Sequence, residues 1–419
     1  MGRMSETREP TRATGALLAA LVFLVALNLR PAIAAVGPVL ARIGADLNWG
    51  ESVQGILSAM PLWAFAAVSP LVRLVTARIG ADRTILIALL TLAAGDLARS
   101  FGGPAGVWLG TLAVGSGIAI GNVLVPVIAK RDYPHHIPIA TGVYSACITT
   151  GSAIAGLTCS HLADILGGWR PALAVWAIPA LIVAVLWIPR LRTPAPSDAA
   201  TTDGGPDHTR RTDARTTRTP LRRRPMTWYV TLYMGLQSAA FYTMSNWLPS
   251  FVTAGGHTAA QAGVHLFVFQ SIGILSGLLI PALMHVHGSQ TTAALVSSTP
   301  MVVALLGWML APRLSLLWSI IGGMGQGASL VAALTMITLR ARTPEETVAL
   351  SGFAQSVGYL LASIGPLAFG ALAELTGTWT APLTMSLALA IAQCAVSPLA
   401  GRERENPANG TTATTGRDD

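Results

Sequence analysis

Apolar positions in this chain come in runs of about twenty or more residues, parted by short clusters of arginine, glycine, proline and aspartate. A helix rises about 1.5 Å per residue, so each run is long enough to cross the roughly 30 Å hydrocarbon core of a bilayer. The pattern predicts twelve helices, over 15–41, 51–77, 84–101, 104–129, 138–162, 169–190, 226–252, 259–284, 291–311, 313–339, 346–373 and 379–400. The third is the shortest, and only Ala311, Pro312 and Arg313 separate the ninth from the tenth. Between the sixth and seventh, the stretch 191–225 is rich in Thr, Arg, Pro, Asp and Gly and has no apolar periodicity. Such a segment reads as a disordered linker. The expected organisation is a tail over 1–14, a six-helix bundle over 15–190, the linker over 191–225, a second bundle over 226–400 and a tail over 401–419.

The two bundles repeat. At a common offset of 210 residues, Thr141-Gly142-Val143-Tyr144 meets Ser351-Gly352-Phe353-Ala354, and Trp169 meets Trp379. Lys130 meets Arg340, and Gly115 and Gly117 meet Gly325 and Gly327. Six helices per unit keep the two units in one orientation, which makes a parallel repeat about an axis along the membrane normal. A site is expected at its interface, near the midplane.

Composition agrees with a bilayer as solvent. Of 419 residues, 52% are hydrophobic and only 11% charged, against about 25% charged in soluble domains. The net charge of +8 is spread through inter-run clusters, which is a topology signal rather than a nucleic-acid-binding stripe. With the N-terminus inside, Arg3, Arg8, Arg12, Arg73, Arg78, Arg83, Lys130, Arg131, Arg190, the linker arginines including Arg222-Arg223-Arg224, Arg340 and Arg342 fall on the inner side. Arg42, Arg99, Arg170 and Arg313 fall outside. Both termini are therefore expected in the cytoplasm, in a multi-pass protein of the plasma (inner) membrane. The Asn409-Gly410-Thr411 sequon then lies inside, where it goes unread. Cys147, Cys159 and Cys394 sit in apolar runs without C-x-x-C spacing and read as packing thiols. Tryptophans near the run ends, Trp49, Trp169, Trp247 and Trp379 outside and Trp187 and Trp228 inside, suggest an interfacial belt. No phosphate-binding loop, dinucleotide fingerprint, zinc spacing or nucleophile elbow is present. The reading is not an enzyme, with no cofactor, metal, nucleotide or nucleic acid, and a monomer whose partners are lipid and a small-molecule substrate.

Arg30 breaks the first run. Counting from Gly15, it lies roughly 22 Å along the helix, where a guanidinium costs at least about 2.5–3.5 kcal/mol unless it meets a partner or a water-filled cavity. Asp96 is the acidic residue that falls clearly inside a helix, and Arg99 three positions on is its natural partner. At the 210-residue offset Arg30 meets Ala240 and Asn28 meets Ser238, so the scaffold is duplicated but the charge is not. Two readings stay open: Arg30 contacts an anionic substrate, or it pins the first helix through carbonyls freed near Pro31. Asn28, Gln237, Tyr242, Gln270, Gln326, Gln355, Tyr359, Asn122 and Tyr144 lie at comparable depths. Each could serve interhelical bonding alone; together around one cation they describe a pocket for something small, polar and negative or electron-rich. Gly117-x-x-x-Gly121, Gly273-x-x-x-Gly277 and Gly323-x-x-x-Gly327 allow close helix approach. His265 reads as a packing histidine that could also titrate, and Asp96 is the proton-coupling candidate.

Several segments resemble one family. They are Asn28-Leu29-Arg30-Pro31-Ala32 with Val36-Gly37-Pro38, Gly121-Asn122-Val123-Leu124-Val125-Pro126 running to Lys130-Arg131-Asp132-Tyr133-Pro134, and Gly168-Trp169-Arg170. Leu236-Gln237-Ser238 with Phe241-Tyr242, Trp247-Leu248-Pro249, and Ser351-Gly352-Phe353-Ala354-Gln355-Ser356-Val357-Gly358-Tyr359 running to Gly365-Pro366 complete them. With twelve helices in two halves, the chain resembles the major facilitator superfamily, and within it the cyanate and 2-nitroimidazole transporter branch. The resemblance implies an all-α membrane fold of two pseudo-symmetric six-helix bundles. It also implies alternating access and a small-molecule substrate moved without ATP, and it does not fix that substrate. With the pocket reading above, the expectation is secondary transport of a small anionic or polar solute, such as a cyanate-like anion or a nitroheterocycle. The alternatives are a drug-type exporter with a broad apolar cavity, in which Arg30 is structural, and a non-transporting membrane sensor. In the family's cytoplasmic gating loop, Arg78, Gly80 and Arg83 match, but Ala77 replaces an aspartate and Arg73 a glycine. Arg73, Arg78, Gly80 and Arg83, with Lys130, Arg131, Arg340 and Arg342, are the gating candidates.

Overall fold

The computed structural model describes residues 12–134, 136–192, 223–286, 290–340 and 344–402. Arg3, Arg8, Arg342, the linker arginines from Arg210 to Arg222 and the Asn409 sequon lie outside them. The first apolar run folds as three pieces, α1 (Arg12–Asn28), α2 (Pro31–Ala34) and α3 (Val36–Leu47). α4 (Glu51–Ile79), α5 (Ala81–Phe101), α6 (Gly103–Asp132) and α7 (Ile137–Ile165) follow, and α8 (Trp169–Ala174) with α9 (Ala177–Trp187) closes the first bundle. The second bundle comprises α10 (Pro225–Ala254), α11 (Ala259–Val286), α12 (Gln290–Leu310), α13 (Ser315–Arg340), α14 (Pro344–Thr376) and α15 (Thr380–Gly401). Counting broken helices once, these are the twelve expected segments. Among the described residues, ten are long and apolar enough to cross a membrane by length and hydropathy alone. The two that fall short are α7 and α10, whose apolar runs are interrupted by Ser, Thr, Gln and Asn.

The continuous helices predicted for the first and sixth runs are each broken. Pro31 has no N–H to give the preceding turn, so Leu29 N–H turns to the Ala26 carbonyl at 3.2 Å, and Ile33 and Ala34 both donate to the Arg30 carbonyl. Apolar periodicity does not register such a break, because the residues on both sides remain apolar.

Close crossings are made where glycines replace side chains. A β-carbon on Gly327 of α13 would overlap the Gly273 carbonyl oxygen of α11, so these helices pack backbone to backbone. The repeat is real but slipped here. Gly115 packs on α4 as Gly323 packs on α11, and Gly117 packs on α5 as Gly325 packs on α12. Structural equivalence in the fourth and tenth segments is therefore two residues off the 210-residue offset.

The halves meet along α3–α10, α4–α14 and α7–α11. The seam runs through the half of the molecule remote from the face where α1 begins and α15 ends. There the Ser52 N–H donates to Glu374 Oε2 at 2.7 Å, and a β-carbon on Gly37 would overlap the Ser245 carbonyl oxygen. Trp63 Nε1 donates to Ser363 Oγ at 2.9 Å, and Phe65 meets the Tyr359 ring edge-on at 5.3 Å. Toward the termini face the halves part. Gly142 and Gly352, partners in the repeat, both face open space.

The tryptophans correct the belt reading. Trp187 and Trp247 are fully buried and Trp169 is 4% exposed, whereas Trp228 is 48% exposed. Their indole N–H groups are used internally: Trp247 donates to the Pro366 carbonyl, Trp187 to the Asp82 carbonyl and Trp169 to Asp46. Run-end position fixes depth but not rotation about the helix axis, and here rotation turns them inward.

Candidate functional site

Between the parted halves lies a cavity of about 380 Å³. α7 lines it with Thr141, Ser145, Thr149 and Ser152, α10 with Gln237, Ser238, Phe241 and Tyr242, and α11 and α13 with Gln270 and Gln326. Tyr359 of α14 and Arg30, from the break after α1, close it. α7 and α10, the two less apolar helices, thus both line the cavity, and their Ser, Thr and Gln side chains supply part of its polar wall.

Among the described residues lining the cavity, Arg30 is the one charged side chain. Its guanidinium carbon stands 5.4 Å from the Phe241 ring centroid and 5.3 Å from that of Tyr242. Stacked cation–π contacts of this kind contribute about 0.5–2 kcal/mol each. No carboxylate of the described residues ion-pairs with it, and its buried Nε has no hydrogen-bond partner there. Both amide atoms of Gln270 and Oε1 of Gln326 are likewise buried without partners, and the buried Tyr242 hydroxyl has the Arg30 guanidinium as its polar neighbour. Gln237 is partly satisfied, donating to Ser238 Oγ at 3.1 Å. Tyr242 and Tyr359 stand edge-on at 6.3 Å and share Phe65 as a neighbour.

Six of the ten substrate-contact candidates come together here: Arg30, Gln237, Tyr242, Gln270, Gln326 and Tyr359. Four do not line the cavity. Asn28 lies two residues, about 200° of helix rotation, before Arg30, and its amide donates to the Leu24 carbonyl at 2.8 Å. Gln355 sits one turn before Tyr359 and donates to Ser351 Oγ at 2.9 Å. Tyr144 packs against the first-bundle core, and Asn122 is half-buried on α6. Phe241, which belongs to the resembling segments but not to the contact candidates, also lines the cavity; its adjacency to Tyr242 on the same helix is the signal in the sequence.

Asp96 is fully buried and outside the cavity lining. Arg99 donates to it at 2.6 Å, as the three-residue spacing suggested. Arg99, near the C-terminal end of α5, is 1% exposed rather than an exposed flank, with Nη1 on the Ala32 carbonyl at 2.8 Å. His265 is buried against His257, with ring centroids 5.1 Å apart. All three cysteines are free.

At the termini face, a charged cluster ties the first bundle together. Asp82, at the start of α5, accepts from both Arg131 and Arg190, and Asp132 accepts from the same two arginines. Arg190 also donates to the Leu18 carbonyl, tying α1 to the end of the first bundle. Arg73, Arg78, Arg83 and Lys130 are exposed, and Gly80 turns the chain at φ 83°. Arg340 donates to Gln290 and to the Ala400 carbonyl.

The family model of the Major Facilitator Superfamily matches residues 16–366. The chain belongs to the major facilitator superfamily. Similar proteins include an uncharacterized transporter YycB of Bacillus subtilis, 36% identical over 93% of this chain and 94% of the relative. The 2-nitroimidazole transporter of Escherichia coli is 34% identical over 93% and 96%. The cyanate transport protein CynX of the same organism is 25% identical over 85% and 90%. The crystal structure of a D-xylose-proton symporter superposes with a TM-score of 0.70 at 15% identity, covering 91% of this chain and 95% of that one. The protein is accordingly a multi-pass membrane transporter of the secondary type, not an enzyme, and small molecules are its cargo.

Proposed function

We propose that this transporter carries a small anionic or strongly polar solute, of the cyanate or nitroheterocycle type, by alternating access. Arg30 is the electrostatic anchor, and Gln237, Tyr242, Gln270, Gln326 and Tyr359 orient the solute. The observation that carries the reading is a lone guanidinium facing a cavity, flanked by two aromatic faces and by amide groups without partners. An unpaired cation is costly in a low-dielectric interior, and an entering anion removes that cost. Relatives that carry cyanate and 2-nitroimidazole by name agree with cargo of this size and charge.

The same reading places the two six-helix bundles at 15–190 and 226–400 around a cytoplasmic linker, with both termini in the cytoplasm of a plasma (inner) membrane monomer. The cavity then opens inward, and the seam closes the outer side. Asp82, Asp132, Arg131 and Arg190 brace the inner end of the first bundle, with Arg73, Arg78, Gly80, Arg83, Lys130 and Arg340 around them as the gating surface. The apolar part of the lining, Ile148, Phe269, Ile274, Leu278, Leu330 and Leu334, supports a second reading, export of a larger apolar compound with Arg30 structural.

Uptake of labelled cyanate and 2-nitroimidazole into proteoliposomes separates these readings. Arg30→Ala is expected to abolish saturable flux while the protein inserts normally. Full flux in that variant would overturn the anchoring role and favour the exporter.

A further inference from the structure

Arg30 Nε has no hydrogen-bond partner among the described residues, and the rest of the guanidinium meets two ring faces and the Tyr242 hydroxyl, so its aim depends largely on the backbone that carries it. That backbone is weak. α2 is four residues long, Pro31 withholds an N–H, and the Arg30 carbonyl is tied to α2 through Ile33 and Ala34. Whatever holds α2 therefore holds Arg30.

Two neighbours press on the break. α7 approaches so closely that a β-carbon on Gly151 would overlap the Leu27 carbonyl oxygen. From α5, Arg99 reaches across with one arm of its fork on the Ala32 carbonyl at 2.8 Å and the other on Asp96 Oδ1 at 2.6 Å. α6 seals the pair in, since a β-carbon on Gly110 would overlap the Arg99 amide nitrogen. Asp96 Oδ2 and Arg99 Nε remain without partners. A buried ion pair left partly unsatisfied is poor value as a source of stability, but a planar guanidinium with two fixed bonds is well suited to setting a position.

We infer that Asp96 and Arg99 are positioning residues for Arg30: Asp96 fixes Arg99, Arg99 holds the Ala32 carbonyl, and α2 thereby aims the Arg30 guanidinium into the cavity. This deepens the anchoring reading and rests on it. It also gives Asp96 a role other than proton carrier, in keeping with its burial away from the cavity lining.

The test uses full-length purified protein. Arg99→Lys keeps the charge opposite Asp96 but gives up the second arm, because an ammonium is a point donor without the planar fork. The double variant Asp96→Asn with Arg99→Gln removes both charges together and strands neither. Phenylglyoxal labelling of Arg30, mapped by mass spectrometry, reports where that side chain points without needing any solute. Labelling is expected to fall in both variants. The KM for 2-nitroimidazole or cyanate flux should rise about ten- to a hundredfold, as misplacement of a binding group does, with the maximal rate and the pH profile unmoved.

Wild-type labelling of Arg30 in either folded variant overturns the inference, as does a shifted pH profile with labelling unchanged. Failure of both variants to fold would assign the pair to stability and also overturn it. If labelling falls but Arg30→Ala keeps full flux, the brace stands and the anchoring role fails.

Discussion

Arg30 and Arg99 are both arginines held within the helical bundle, and the fold treats them in opposite ways. Arg99 is 1% exposed and has a carboxylate three residues away on its own helix. Arg30 faces a cavity, rests on two aromatic rings and has no carboxylate partner among the described residues. A charge with a partner on the same helix can be assembled into the architecture early and kept there. A charge without one is tolerable only beside space that something else enters. Partnering, more than depth, separates the two arginines.

The contrast can be broken most directly by truncation. Arg99→Ala leaves the Asp96 carboxylate buried and alone, and a loss of about 3–5 kcal/mol is expected. The thermal midpoint and the monodisperse yield after detergent extraction would both fall. Arg30→Ala should leave both near wild type while removing flux; equal destabilisation by the two changes would erase the distinction. Next in size, Arg30→Lys keeps the charge but loses the planar stacking face, and about a tenfold rise in KM for anion flux is expected. Phe241→Leu removes one ring from the guanidinium while keeping an apolar wall. An affinity loss of about 0.5–2 kcal/mol, or roughly two- to thirtyfold in KM, should follow. The smallest effect belongs to Asn28→Ala, which deletes one bond to the Leu24 carbonyl and costs about 0.5–1.5 kcal/mol of stability. Its KM should match wild type, and a large rise would return Asn28 to the site.

Much of this contrast was legible beforehand and part of it was not. Twelve segments, their two halves and the lone cation at Arg30 follow from apolar run lengths and charge positions. The Asp96–Arg99 spacing also announced itself, yet Arg99 read as an outer flank because run-end position says nothing about which way a side chain turns. The same blindness to rotation sent Trp187 and Trp247 to a lipid-facing belt. It also grouped Gln355 with Tyr359, although only the tyrosine reaches the cavity. Depth along a helix is set by counting residues, whereas facing is set by neighbours that only the folded bundle supplies. The two-residue slip of the repeated glycines has a related origin: glycines spaced by two in both segments align almost equally well in either register.

Among the described residues, the seam between the halves, Ser52 on Glu374 and Trp63 on Ser363 among its bonds, occupies one side of the molecule. A solute arriving from the termini face therefore meets a floor. Under the alternating access proposed above, that floor must unzip for the solute to go through, and these bonds are among those broken on each crossing. Stitch α4 covalently to α14 there, and the protein becomes a well that fills and drains by the same mouth.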